Sequence, residues 1–302
     1  MKILVGFRFA ASQTNGNGAP PQMRRPRRRL IVVLAVTTAL AVVPALAYAA
    51  TTISISGATA SFPLIELLTN KYHKVRGGKV NFKVSQGGAS VGISDAAAGR
   101  VSIGDSSRAP ATTDPTGLLF YPIAEYFVCV VTNPANPISN LTAAQVAQIF
   151  TGKVRSWSQV SGATATGTID VYSRTSVAGV LTTFQNTLLG GSKVSSVAAQ
   201  EPSEGLMQNA VKHDPNAIGF NSDYFALASG INAVGYNGTA CSTANVVAGT
   251  YPGVSDFYEV TKGPAHGAVE DFIYWIQTSA AAKKLIETNW IPLGKVEPAV
   301  AG

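Results

Sequence analysis

The chain has 302 residues and a formal net charge of +7, which is room for one large or two ordinary domains. Of its 23 basic residues, 7 (Lys2, Arg8, Arg24, Arg25, Arg27, Arg28 and Arg29) fall within residues 1–49, which hold no acid. The 16 that remain equal the 16 acids, so the segment from Ala50 onward is formally neutral and the net charge does not support a basic surface for nucleic acid.

The first predicted element is a leader. A basic cluster, Arg24 to Arg29, precedes an apolar run from Leu30 to about Leu46, and Ala47-Tyr48-Ala49 then forms a small-x-small cleavage signal. This order predicts an export signal, maturation before Ala50 and a periplasmic or secreted product. The competing reading is a retained anchor, because the run is nearly long enough to span a bilayer; Pro44 and the Ala-x-Ala end favour cleavage. No Cys follows that site, so lipid attachment there is excluded. Residues 1–22 read as low-complexity lead-in, which makes Met23 an alternative start to Met1. The arginine pairs are compatible with twin-arginine export, although the residues around them do not strengthen it.

The body alternates short strands and helices, the pattern of an α/β fold. Thr52 to Ile55 reads as a strand ending in Gly57-Ala58-Thr59-Ala60-Ser61, and Pro63 opens a helix to about Val75, Pro being favoured where its missing N–H costs nothing. Val80 to Val84 is a strand running into Gln86-Gly87-Gly88-Ala89-Ser90 and a small-residue helix to about Ala98. Val101 to Ile103 is a third strand, ending in Gly104-Asp105-Ser106-Ser107-Arg108. Ile123 to Thr132 is a buried strand expected to carry the chain into a second lobe. Thr142-x-x-Gln145 is a capping box opening a helix to about Phe150. Ile169 to Tyr172 is a strand, followed by Ser173-Arg174-Thr175-Ser176-Val177-Ala178-Gly179 and a helix to about Leu189. Glu204 to His213 is helical, Ala217 to Phe220 is a strand, and near Ile231 to Tyr236 the chain is expected to return to the first lobe. Helices at Gly267 to Gln277 and Ser279 to Glu287 close it.

Three times in succession a strand runs into a loop of Gly, Ser, Thr or Ala. Two of these loops lead at once into a helix, which aims unpaired helix N–H groups at the crevice beyond the strand ends. Such ends suit an anion, at roughly 0.3–2 kcal/mol per helix. Arg174, between a strand and a helix, offers a planar fork matched to two oxygens of a tetrahedral anion; its other reading is a local salt bridge. Arg108 has the same two readings, pairing with Asp105 or a neighbour. Asp105 either caps its turn or faces the anion. A carboxylate there accepts a proton from hydrogen phosphate and repels sulfate, which has none to give. Ser61, Ser90, Ser106 and Ser107 are hydroxyl donors or turn residues. Tyr121, Tyr126 and Phe127 read as core or hinge, and Lys283 and Lys284 as a solvated helix end. Cys129 and Cys241 are either paired or separately buried; an exported chain permits the disulfide. His73, His213, His266 and the two cysteines have no metal-ligand spacing, and no Ser-His-Asp arrangement stands out, so an enzyme is not expected.

Taken together, Gly57-Ala58-Thr59-Ala60-Ser61-Phe62-Pro63, Gln86 to Ile93, Ile103 to Arg108, Asn140-Leu141-Thr142, Ile149 to Lys153 with Trp157, Asn216 to Phe220 and Trp290-Ile291-Pro292-Leu293 resemble the phosphate-binding component of high-affinity phosphate ABC transporters, a class II periplasmic substrate-binding family. The resemblance covers about residues 53–293 and is specific in its order rather than in any one piece. It implies two α/β lobes closing on a ligand in the cleft between them: residues 50–127 with 237–302 in one, 128–236 in the other. It also implies inorganic phosphate as ligand, a membrane ABC permease as partner and no cofactor; self-association is left open. By position, the implied ligand set is Ser61 and Phe62 in the first loop, Ala89 and Ser90 in the second, and Asp105, Ser106, Ser107 and Arg108 in the third. The fourth loop supplies Arg174, Ala178, Gly179 and Val180.

The departures are specific. The family's fourth loop ordinarily reads Ser-Gly-Thr where this chain has Ala178-Gly179-Val180, and its second-loop serine aligns with Ala89. Backbone N–H groups survive these changes and hydroxyl donors do not, each lost charge-assisted bond being worth ~1.5–3 kcal/mol. Ser176 is the nearby hydroxyl available as a substitute. A different oxyanion (sulfate or molybdate) and an extracellular structural or adhesion role for the fold are therefore carried as alternatives.

Overall fold

The computed structural model describes residues 50–302; the expected leader, its cleavage site and both candidate starts lie outside the described residues. β1 (Thr51–Gly57) leads through a short turn into α1 (Phe62–Val75), with Pro63 in the first helical turn and Leu64, Ile65, Leu68 and Tyr72 as its buried stripe. β2 (Val80–Gln86), α2 (Ala89–Ala97) and β3 (Ile103–Ser106) follow. The third strand starts two residues later than the apolar run suggests and includes Asp105, because its pairing with β1 begins at Ile103.

β4 (Leu118–Thr132) is a single 15-residue strand, buried over most of its length. β5 (Asn140–Leu141) leads into α3 (Ala143–Phe150), whose capping box is formed as expected: the Thr142 hydroxyl accepts the Gln145 N–H and the Gln145 side chain accepts the Thr142 N–H. β6 (Asp170–Arg174), α4 (Gly179–Thr187), β7 (Ala199–Glu201), α5 (Glu204–His213), β8 (Ala217–Ser222) and α6 (Asp223–Ala226) build the next layer. Arg174 closes its strand rather than lying in the following loop. β9 (Asn232–Tyr236), α7 (Thr243–Val247), β10 (Val254–Lys262), α8 (Ala268–Thr278), α9 (Ala280–Ile286) and β11 (Val300–Ala301) complete the chain.

The strands run in the order β2-β1-β3-β10-β4-β8-β6-β7. β1 is parallel to β2 and β3, and β6 is parallel to β7 and β8, as strand–helix–strand crossovers require. β4 belongs to both halves: Leu118 to Phe127 pair antiparallel with β10, and Val128 to Thr132 pair with β8 and β9. This corrects the expected return path. β9 stays on the far end of β4, and the chain comes back along β10, which the sequence reading did not find.

Cys129 and Cys241 form a disulfide with Cα atoms 5.8 Å apart, which settles the choice left open by the sequence. The Tyr251 hydroxyl donates to the Val128 carbonyl at 2.9 Å beside it. Apolar packing covers both sheets: Phe150, Phe184 and Phe220 cluster in one half, and Tyr72, Phe82, Phe272 and Trp275 in the other. No helix among the described residues is long and apolar enough to cross a membrane.

Candidate functional site

Three helix starts meet between the two sheets. α1 begins at Phe62 after Ser61, α2 at Ala89 after Gly88, and α4 at Gly179 after Ala178. First-turn N–H groups have no acceptor within their own helix, and those of Phe62, Ala89, Gly179 and Val180 have none elsewhere among the described residues. The Ser90 N–H crosses to the Val177 carbonyl at 3.0 Å. Gly88 has φ +98°, and a Cβ there would lie 2.8 Å from that same carbonyl oxygen. A Cβ on Gly179 would lie 2.6 Å from the Ser107 Oγ and 2.9 Å from the Ala89 Cβ. The second and third loops of one half therefore touch the fourth loop of the other at glycine-limited range.

The side chains expected at this point fall into two groups. Ser61 and Asp105 come together: the Ser61 hydroxyl donates to Asp105 Oδ2 in a short, fully buried bond, while Asp105 Oδ1 has no donor. Asp105 does not cap its turn. Burial pushes its carboxyl up to about 7, against the lowering pull of the Ser61 hydroxyl. Ser107 is buried against Gly179, and its carbonyl accepts the Tyr126 hydroxyl at 2.5 Å. Phe62 and Ser90 are half-buried at their helix starts, and Ala89, Ala178 and Val180 are buried.

Three further side chains are engaged or placed elsewhere. The Arg108 guanidinium turns onto Asp114 in a two-pronged pair at 2.8 and 2.6 Å and onto the Ala109 carbonyl, so it braces its own loop instead of facing an anion. The Ser106 hydroxyl donates to the Arg108 carbonyl at 2.9 Å and accepts the Arg108 N–H, which commits it to the same loop. Ser176 is exposed and offers no replacement hydroxyl.

Arg174 is at the convergence, fully buried, with most of its fork engaged by protein. Its Nε–H donates to the Glu201 carbonyl at 3.0 Å, Nη1 pairs with Glu204 in a short contact, and Nη2 donates to Thr59 Oγ1 at 2.9 Å and to the Pro202 carbonyl at 3.1 Å. It thereby ties the second half to the first loop. Glu204 is held in turn by the Ser222 N–H at 2.9 Å and its hydroxyl at 3.1 Å.

Thr183 is absent from the sequence reading, and Thr59, Tyr126 and Glu204 enter it only as a loop residue, a core or hinge residue and a helix start. Thr183, on α4, meets the Tyr126 hydroxyl at 3.0 Å and donates to the Ser107 carbonyl at 3.4 Å. A strand tyrosine and a helix threonine carry no local mark of such a meeting. Glu204 was legible only as the first residue of a helix.

The electrostatics follow from these pairings. Both arginines are paired with an acid and burial weakens the acidity of Asp105, so the local field comes chiefly from oriented helix ends. Such a site suits a small anion held by fixed N–H donors. Among the described residues no cluster of three or more His, Cys, Asp or Glu could hold a metal. A separate surface cavity of about 300 Å³, lined by Ile149, Val154, Arg155, Val171 and Val197, lies at the other end of β6 and lacks this convergence of donors.

A family model described as a PBP superfamily domain matches residues 42–280. The phosphate-binding protein PstS of Bacillus subtilis (strain 168) is 24% identical over 245 residues, 80% of each chain. Among solved structures, a candidate phosphate ABC transporter substrate-binding protein from Clostridium perfringens, solved with bound phosphate, superposes with a TM-score of 0.74 at 26% identity, over 80% of this chain and 100% of that one. An ABC-type phosphate transport receptor from Vibrio cholerae gives 0.66 at 26% identity with the same coverage.

Proposed function

The chain belongs to the PBP superfamily, and from that premise we propose that it is an exported receptor that closes on inorganic phosphate and delivers it to a membrane ABC permease. The observation that carries this reading is the meeting of the α1, α2 and α4 starts across the two halves, with the N–H groups of Phe62, Ala89, Gly179 and Val180 lacking protein acceptors. Backbone donors fixed in this way hold a dianion without reorganisation. They also explain how Ala89, Ala178 and Val180 are tolerated where the resembling family has hydroxyls: the N–H groups remain.

Two lobes follow from the same reading, residues 50–127 with the segment from β10 onward and residues 128 through β9, with β4 running through both. Export, the periplasmic or secreted location, cleavage before Ala50 and the absence of turnover are parts of the proposal. Asp105 gives it selectivity. Its unpartnered Oδ1 accepts a proton from hydrogen phosphate and faces sulfate with repulsion alone.

Titration calorimetry of the exported chain with phosphate, alone and in excess sulfate, tests this. Saturable one-to-one binding that sulfate does not displace is expected. Displacement of phosphate by sulfate, or no heat with either anion, overturns it. Asp105→Asn removes the charge and is expected to let sulfate compete.

A further inference from the structure

Glu259 lies on β10 directly opposite Asp105 on β3, in antiparallel register. Directly opposed residues share one face of the sheet, with Cβ atoms about 5 Å apart. Asp105 points to the head of α1, where Ser61 meets it, so Glu259 stands immediately behind the candidate anion site. It is completely buried, and neither of its carboxyl oxygens has a hydrogen-bond donor among the described residues.

The surroundings offer no counter-charge. On the other side, β4 places Tyr121 opposite Glu259, and its hydroxyl accepts the Ala265 N–H. α1 has no acid in its first turn, and its last-turn basic residues, His73 and Lys74, lie at the far end from Ser61. α8 brings only the acids Glu270 and Asp271, both exposed, the latter paired with Arg76. On α2, Asp95 is bound to Ser56 and Arg100. Burial, and after it the charge of Asp105, drives the glutamate's ionisation well above the usual range. Two such carboxyls without a cation cannot both ionise at neutral pH.

We propose that Glu259 is a positioning residue for the anion site: it holds the proton that this opposed carboxyl pair must keep, so that Asp105 alone presents charge to the ligand. The inference rests on the phosphate reading for its functional consequence, but not for its physical core. Glu259 touches no ligand. It acts by keeping the back of the site uncharged, and when it ionises at high pH a second negative charge confronts the anion.

Glu259→Gln keeps the shape and removes the ionisation; Glu259→Leu is the second variant, replacing the acid with an apolar group. Phosphate calorimetry from pH 6 to pH 9 compares each with wild type, so that titration of the phosphate itself is common to all. Near pH 6 the Gln variant is expected to bind within about threefold of wild type. As pH rises, wild type loses additional affinity, about tenfold per pH unit beyond the glutamate's ionisation, and the variants do not. Parallel melting curves need no ligand. Glu259's raised folded ionisation makes its contribution to stability present at low pH and lost as pH rises, so the melting temperature of wild type falls more steeply than that of either variant.

Parallel pH slopes of melting in wild type and variants, or a glutamine variant that loses phosphate equally at every pH, overturn the proposal. If neither variant folds, carbon-13 carboxyl resonances of labelled Glu204→Gln decide: a glutamate still protonated at pH 7 supports it, and none overturns it. If wild type binds no phosphate but the melting slopes differ as expected, the function proposed above fails while the acid pair stands.

Discussion

Replacing Arg174 with alanine tests how the two halves are held. The side chain is fully buried and donates four hydrogen bonds: one to Glu204, one to Thr59, and two to the carbonyls of Glu201 and Pro202. Removing it leaves Glu204 as an uncompensated buried acid, a change that costs about 3–5 kcal/mol. With an m-value of about 3 kcal/mol/M in urea for a chain of this size, the unfolding midpoint falls by roughly 1–1.7 M. The loss has a pH signature. Burial raises the Glu204 ionisation and the Arg174 charge lowers it; without the arginine it rises further. A carboxyl raised in the folded state contributes stability below its unfolded value and loses it as pH rises through the folded value. The deficit of Arg174→Ala is therefore largest near pH 8 and shrinks toward pH 4, and adding Glu204→Gln recovers much of it at pH 8. Urea titrations of the single and double variants at both pH values measure this. A deficit that is the same at pH 4 and pH 8, or a double variant no more stable than the single, refutes the reasoning.

Gly179→Ala places a methyl 2.6 Å from the Ser107 Oγ and 2.9 Å from the Ala89 Cβ; it is expected to hold the halves apart, lowering phosphate affinity at least tenfold and enlarging the radius of gyration in solution scattering. Cys129→Ala with Cys241→Ala opens a loop of sequence separation 112, and chain-entropy arguments put the loss at about 4–5 kcal/mol, to be read as a lower denaturation midpoint. Thr142→Ala removes the hydroxyl that caps α3 and is expected to cost about 1 kcal/mol by the same assay, with no change in ligand binding.

What the sequence revealed is what local chemistry writes. The Thr142–Gln145 box, the bounds of α5 before Pro215 and the loop-to-helix starts at Phe62, Ala89 and Gly179 depend on neighbours a few residues apart. The return path was not legible because only pairing with β4, more than a hundred residues earlier, separates the roles of β9 and β10. Arg174 stands out in the sequence between a strand and a helix, but its partners do not: Thr59 and Glu204 lie 115 and 30 residues away. Arg108 takes the neighbour pairing that was one of its two readings, but its partner was not legible: Asp114 lies six residues on in a bent loop, which has no periodicity from which to read the pairing. Glu259 stayed hidden because an acid in a strand ordinarily marks the solvent face, and nothing in its neighbours Tyr258 and Val260 says that the face is covered.

The uninterrupted run of β4 through both sheets has a mechanical corollary. Its ladder changes partner between Phe127, opposite Val254, and Val128, opposite Ser222, so any swing of one half about the other is absorbed as torsion of a single extended strand. The Cys129–Cys241 bond and the Tyr251 hydroxyl on Val128 brace that spot. In the closure proposed above, a crossing braced in this way is expected to act as a leaf spring that limits the arc of the swing.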